Sequence, residues 1–149
     1  MSDYTQVVDA ISNSVADTPD TFIDITAPAS TSIILKEVGA YTKDATTRDD
    51  TVTVYIYRQA TSGSGSAAGS PKATRPLAPA AVATTKIKNG STAFALGGTQ
   101  TLIRKFSFNG RTPFVMPVEI ESASAGIISI VVERHDTSVG TVVEARWSE

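Results

Sequence analysis

Glu119 and Glu121 stand two apart in a segment that reads as a strand. That puts both carboxylates on one face, roughly 7 Å apart. Paired carboxylates near that separation can cleave glycosidic bonds. Such pairs usually come from different elements and line a cleft with aromatic sugar platforms, so a solvated edge fits these two better. His135 is the only histidine, and Asp136 follows it. A hydrolytic triad needs a histidine, a carboxylate and an activated serine. Serine is plentiful here, so that match is cheap, and no GxSxG elbow is present. One histidine also falls short of a histidine-based zinc site. His135 reads as a solvated turn residue. Asp44, Asp49 and Asp50 form a loose group of oxygen donors without EF-hand spacing; turn-making or capping carboxylates fit better. Gly97-Gly98 has neither Rossmann nor P-loop spacing. No catalytic, cofactor or metal-binding residue is expected, and the chain is read as a non-enzyme.

Lys86, Lys88, Arg104, Lys105 and Arg111 are the main basic group. The formal net charge is −2, so a charge-complementary protein is a better partner for them than a phosphate backbone. Neither nucleic acid nor an anionic membrane is expected. There is no cysteine, which excludes disulfides and thiolate metal sites. No stretch approaches the roughly 18 apolar residues of a membrane span. The N-terminus lacks the features of a signal peptide, so folding in a cytoplasm is expected.

These side chains must be held by a scaffold, and Thr51–Gln59 (TVTVYIYRQ) is its clearest piece. Val52, Val54 and Ile56 alternate with Thr53, Tyr55 and Tyr57, the pattern of a half-buried strand. Thr21–Thr26, Ser32–Tyr41, Val82–Lys88, Thr99–Phe108, Val118–Glu121, Gly126–Arg134 and Thr141–Ser148 also read as strands. Gly39 marks a bulge or a close approach. Ser32–Tyr41 and Thr51–Gln59 flank a polar turn and suggest an antiparallel pair. Pro113–Pro117 must lie at an edge or bend. Gly126–Arg134 is the most apolar and should be central. Residues 60–80 are Ser/Gly/Pro-rich and read as a long loop, solvated or ordered against a neighbour. Residues 2–17 carry Tyr4, Val7, Val8, Ile11 and Val15 at three- and four-residue steps, which predicts a short amphipathic helix. Its stripe would cover the chain's own core or a neighbouring subunit. The expectation is all-β: an antiparallel β-sandwich, jelly-roll-like, of about eight strands, spanning 20–149, with a helical arm at 1–19. Trp147 is best explained as a core or interface anchor.

The run from Thr21 to Gln59 resembles the opening of capsid decoration, or cement, proteins of tailed bacteriophages. The shared elements are Thr26–Ala29 (TAPA), Glu37–Gly39 (EVG) and Val52–Gln59. Phe108–Arg111 (FNGR) and Ala145–Glu149 (ARWSE) are similar too. The resemblance implies a jelly-roll-like subunit on the outside of an icosahedral head, made in the host cytoplasm. Its partners would be the major capsid protein and its own copies, as a homotrimer, with no catalytic residues. The capsid or subunit interface would then draw on Tyr4, Val7, Val8, Ile11 and Val15 of the arm, Lys72 and Arg75 of the long loop, and Trp147. The competing reading is a carbohydrate- or receptor-binding sandwich from a phage fibre or bacterial surface protein. Tyr41, Tyr55 and Tyr57 are its candidate platforms.

Overall fold

The computed structural model describes residues 1–43, 49–76 and 78–149. Among these, eleven strands run in chain order: β1 Asp3–Ile11, β2 Asp20–Thr26, β3 Ile33–Thr42, β4 Thr51–Gln59, β5 Ser66–Ala68, β6 Lys72–Ala73, β7 Thr84–Lys88, β8 Gln100–Asn109, β9 Phe114–Ser122, β10 Ile127–Arg134 and β11 Gly140–Ser148. The first sheet has the order β6-β1-β11-β3-β9, the second β5-β7-β2-β10-β4-β8. All pairings are antiparallel. The all-β expectation holds, with more strands than the sequence suggested.

The predicted N-terminal helix is absent; its residues form β1. Tyr4, Gln6, Val8 and Ala10 are buried, while Val7, Asp9 and Ile11 stay exposed. Adjacent valines at 7 and 8 satisfy a helical stripe and a strand alternation equally well. A short isolated helix is marginal in water. As a strand the segment pairs with β11 along its whole length and with β6 on its other side, and that pairing decides the outcome.

Strands are matched from the two ends of the chain inward. β1 pairs with β11, β2 with β10, β3 with β9, β4 with β8 and β5 with β7. The expected β3–β4 pair does not form, because those strands lie in different sheets. β10 is central in the second sheet, as its composition suggested, and Pro117 lies in the edge strand β9. The core between the sheets contains Trp147, Tyr4, Phe22, Leu35, Ile56 and Ile130, each at most 1% exposed.

Two buried polar clusters brace the sandwich, one across the two sheets at Arg134 and one within the second sheet at Lys88. Arg134 of β10 is buried; its Nε and Nη2 donate to the two carboxylate oxygens of Asp50, at 3.0 and 2.6 Å. Its Nη1 donates to Thr42 and Thr141 of the facing sheet. Lys88 donates to Asp20 and to the Thr92 carbonyl, and Asp20 accepts from the Phe94 amide. A buried ion pair is tolerated only when its remaining hydrogen-bonding groups are also satisfied.

Part of the 60–80 stretch is a strap across one side of the sandwich. β5 adds to β7 in the second sheet, and β6 adds to β1 in the first. The chain crosses between them at Gly69, where a Cβ would lie 2.0 Å from Thr85 Oγ1. Only glycine fits that crossing. The Tyr4 hydroxyl donates to the Pro79 carbonyl further along.

Beneath the start of this stretch lies a buried carboxylate. Asp24 accepts from Ser129 and Ser62, both at 2.5 Å, and from Gln59 at 3.1 Å. Burial pushes its pKa above the ordinary value of 3.8, and hydrogen bonds from Ser129 and Ser62 and the charge of Lys86 oppose that shift. The folded chain therefore keeps this proton at a pH where the unfolded chain has released it. The group's stabilisation is complete below the ordinary value and is lost as pH rises through the raised one. Asp24→Asn should remove that loss, since serine hydroxyls can turn to accept from the amide. The variant's melting temperature relative to the parent should climb as pH rises over that interval. Parallel melting curves across a pH series would contradict this.

Candidate interaction surface

The outer face of the first sheet is built by strand alternation. The residues of β1 that do not face the core face outward, and register places partners beside them. Lys72, Thr5, Arg146, Glu37 and Pro117 form one row across all five strands. Val7, Glu144, Gly39 and Val115 form the next, and Asp9, Val142 and Tyr41 the one after. Ile11 closes the face beside Gly140. Val7, Ile11, Tyr41 and Val115 are between 37% and 59% exposed, so apolar side chains stand in solvent on several strands.

Charges on this face are largely answered within the subunit. Lys43 Nζ reaches Asp9 at 2.5 Å and Arg146 reaches Glu37 at 3.8 Å. The Thr5 hydroxyl donates to Glu144 at 3.2 Å. A face of this kind has little field to steer a ligand but much apolar area to bury.

Gly39 lies near the middle of the face. The register irregularities of β3 fall at Leu35–Glu37, so Gly39 is not a bulge. Its φ is not positive. A Cβ there would meet its nearest neighbours, the Phe114 carbonyl and Val115, at 3.5 Å, an ordinary contact. The subunit's own packing therefore does not require glycine here, although glycine weakens a strand interior. Of the two readings the sequence offered, the bulge is excluded, and the nearest atoms of the subunit itself stand at ordinary contact distance.

The residues expected at an interface divide by location. Val7, Ile11 and Lys72 lie on this face, although the reason is strand alternation rather than a helical stripe. Val15 is exposed in the turn after β1 and Arg75 in the turn after β6. Tyr4, Val8 and Trp147 are buried in the subunit's own core, with the Tyr4 and Trp147 rings 6.2 Å apart. Sequence reasoning missed Tyr41 and Val115 as companions of Val7. Reading 3–11 with period two would have found Val7 and Ile11, but not their neighbours across the sheet.

The other candidates separate as well. His135 is exposed and lies 3.1 Å from Asp17. Glu119 and Glu121 are exposed on β9. Asp50 is committed to Arg134, and Asp49 accepts from Asn109 at 2.6 Å; Asp44 lies outside the described residues. Tyr55 and Tyr57 stack at 6.1 Å on the second sheet. Lys105 sits over the Tyr55 ring at 5.1 Å, so that platform is already occupied. The basic group disperses: Lys88 is buried, Lys86 pairs across from Asp24, and Arg111 lies 3.7 Å from Asp49. Arg104 and Lys105 remain together on β8.

No family model and no curated protein matches the chain. Two solved structures of viral particles align with most of its length. One is the structure of infectious bursal disease virus Gt strain, at 13% identity and a TM-score of 0.24, covering 97% of this chain and 41% of that one. The other is the T13 particle of the same virus, at 9% identity and a TM-score of 0.15, covering 99% and 39%. This chain thus spans about two fifths of those proteins. Scores this low carry nothing about its fold or function.

Proposed function

We propose that this chain is a structural virion protein that decorates the exterior of a tailed-phage head and stabilises it. It docks on the major capsid protein by the outer face of the β6-β1-β11-β3-β9 sheet, works as a homotrimer and turns over no substrate. The observation that carries the docking face is Gly39, a mid-strand glycine that its own subunit does not need, set among exposed Val7, Tyr41 and Val115. The end-to-end matching of strands supports a jelly-roll reading, since a jelly roll is a long antiparallel ribbon wrapped into two sheets, a form used by capsid and lectin domains. The likeness of the Thr26–Ala29, Glu37–Gly39 and Phe108–Arg111 elements to cement proteins supplies the rest.

The test is co-sedimentation with undecorated heads of the phage that carries the chain. Val7→Asp with Tyr41→Asp puts two charges on the face without touching the core. The variant should melt like the parent and lose most of its binding. Equal binding by parent and variant would place the docking surface elsewhere, and a parent that does not bind would end the decoration reading.

A further inference from the structure

The side of the sandwich away from the strap is open. β8 and β9 are the last strands of their sheets there, and among the described residues no ladder joins them. Only side chains bridge the gap. Phe114 lies 4.9 Å from Phe108 and 5.3 Å from Phe106. These rings, with Ile103 and Met116, are only half-buried, and Leu102 is 48% exposed. A long edge strand with an apolar flank is a ready template for another chain unless something protects it.

The two edges carry opposite charges. Arg104 is paired in register with buried Ile56, yet it is exposed. Among the described residues it has no carboxylate within ion-pair distance. Lys105 follows it. On β9, Glu119 and Glu121 are exposed; Glu119 has Lys36 at 3.6 Å and is otherwise open to solvent. Arg104 lies as many residues before Asn109 as Glu119 lies after Phe114, so the two stand at about the same level along their strands.

Glu119 also has a φ of 135°. Side chains rarely adopt that conformation, and glycine would adopt it without strain. Glu119 falls in the irregularity of the β3–β9 ladder, between Pro117 and Ile120, and a bulge of this kind re-aims a side chain, here into solvent.

We propose that β8 of one copy packs against β9 of a second copy, with Arg104 facing Glu119 and Glu121 and Lys105 adding its charge from the outer face of the same edge. Leu102, Phe106 and Phe108 would then be covered by Met116 of the neighbour, leaving Val115 on the outer face. Charge selects this arrangement: β8 against β8 sets cations together, and β9 against β9 sets carboxylates together. Both patches lie on the same open side, so a two-fold pair satisfies both contacts at once, and a head-to-tail ring satisfies them in turn; either closes the assembly. The inference rests on the proposal that copies associate, and does not depend on binding to a phage head.

Sedimentation velocity over a concentration series tests it, with thermal melts as the folding control. The parent should form a closed oligomer. Arg104→Glu with Lys105→Glu should weaken association about a hundredfold, as facing like charges repel. Adding Glu119→Lys and Glu121→Lys to that variant should restore it. Glu119→Gly alone should melt higher than the parent and associate more weakly. A parent that stays monomeric at every concentration overturns self-association itself. A parent oligomer that the β8 substitutions leave intact overturns this surface alone. Weakening that the four-fold charge swap fails to rescue overturns the pairing of β8 with β9.

Discussion

Asp50→Ala is expected to destabilise the fold by about 3–5 kcal/mol, because it strands a buried charge. Arg134 and Asp50 are both almost fully buried and share two hydrogen bonds. Without the carboxylate, the guanidinium keeps only the hydroxyls of Thr42 and Thr141. Those bonds replace neither the lost charge nor the lost water. A chain of this size should melt on the order of 10 °C lower. Removing both charges should cost much less than removing one, since an apolar replacement of similar volume needs no counter-ion. Asp50→Ala with Arg134→Met should therefore recover a large part of the loss. Denaturant melts of the two single variants and the double variant give the coupling directly. If the double variant loses as much as the two singles added together, the two residues are not acting as a pair.

Gly39→Val is expected to move stability and docking in opposite directions. Valine suits a strand better than glycine, and a Cβ at this position meets nothing closer than 3.5 Å. The fold should gain up to about 1 kcal/mol and melt a few degrees higher. If a capsid surface approaches the backbone here, the added side chain overpacks that contact. Overpacking typically costs about 1–3 kcal/mol, roughly ten- to a hundredfold in affinity. A more stable protein that binds heads worse would separate the glycine's role in docking from any role in folding. A variant that melts lower would show that the glycine serves the subunit itself.

Much of the sandwich was legible because its strands alternate. Thr51–Gln59 was found to the residue, and Gly126–Arg134 was recognised as central from its apolar run. β1 was misread because Tyr4, Val7, Val8 and Ile11 satisfy both periods, and only pairing with β11 chooses between them. β5 and β6 are three and two residues long, too short for any periodicity to register. The site was less legible than the fold. Lys86, Lys88, Arg104, Lys105 and Arg111 read as one group because sequence cannot show that Lys88 turns inward to Asp20. Gly39 was noticed, but its meaning depended on how much room surrounds it, which only packing reveals. Glu119 carried no visible sign of its backbone conformation.

The matching of strands from the chain's ends inward has a kinetic side. β11 is the middle strand of the first sheet, and β10 is an interior strand of the second. Each leaves a ribosome after the strands it pairs with, so neither sheet can be completed until it emerges. Nearly every ladder also joins residues far apart in sequence, and such high contact order slows folding to milliseconds or longer. During that wait β2, β3 and β4 expose apolar faces and unpaired edges. The time before β10 and β11 emerge is when a chaperone would matter most to this chain. Removing β11 would therefore leave an aggregating chain rather than a smaller sandwich.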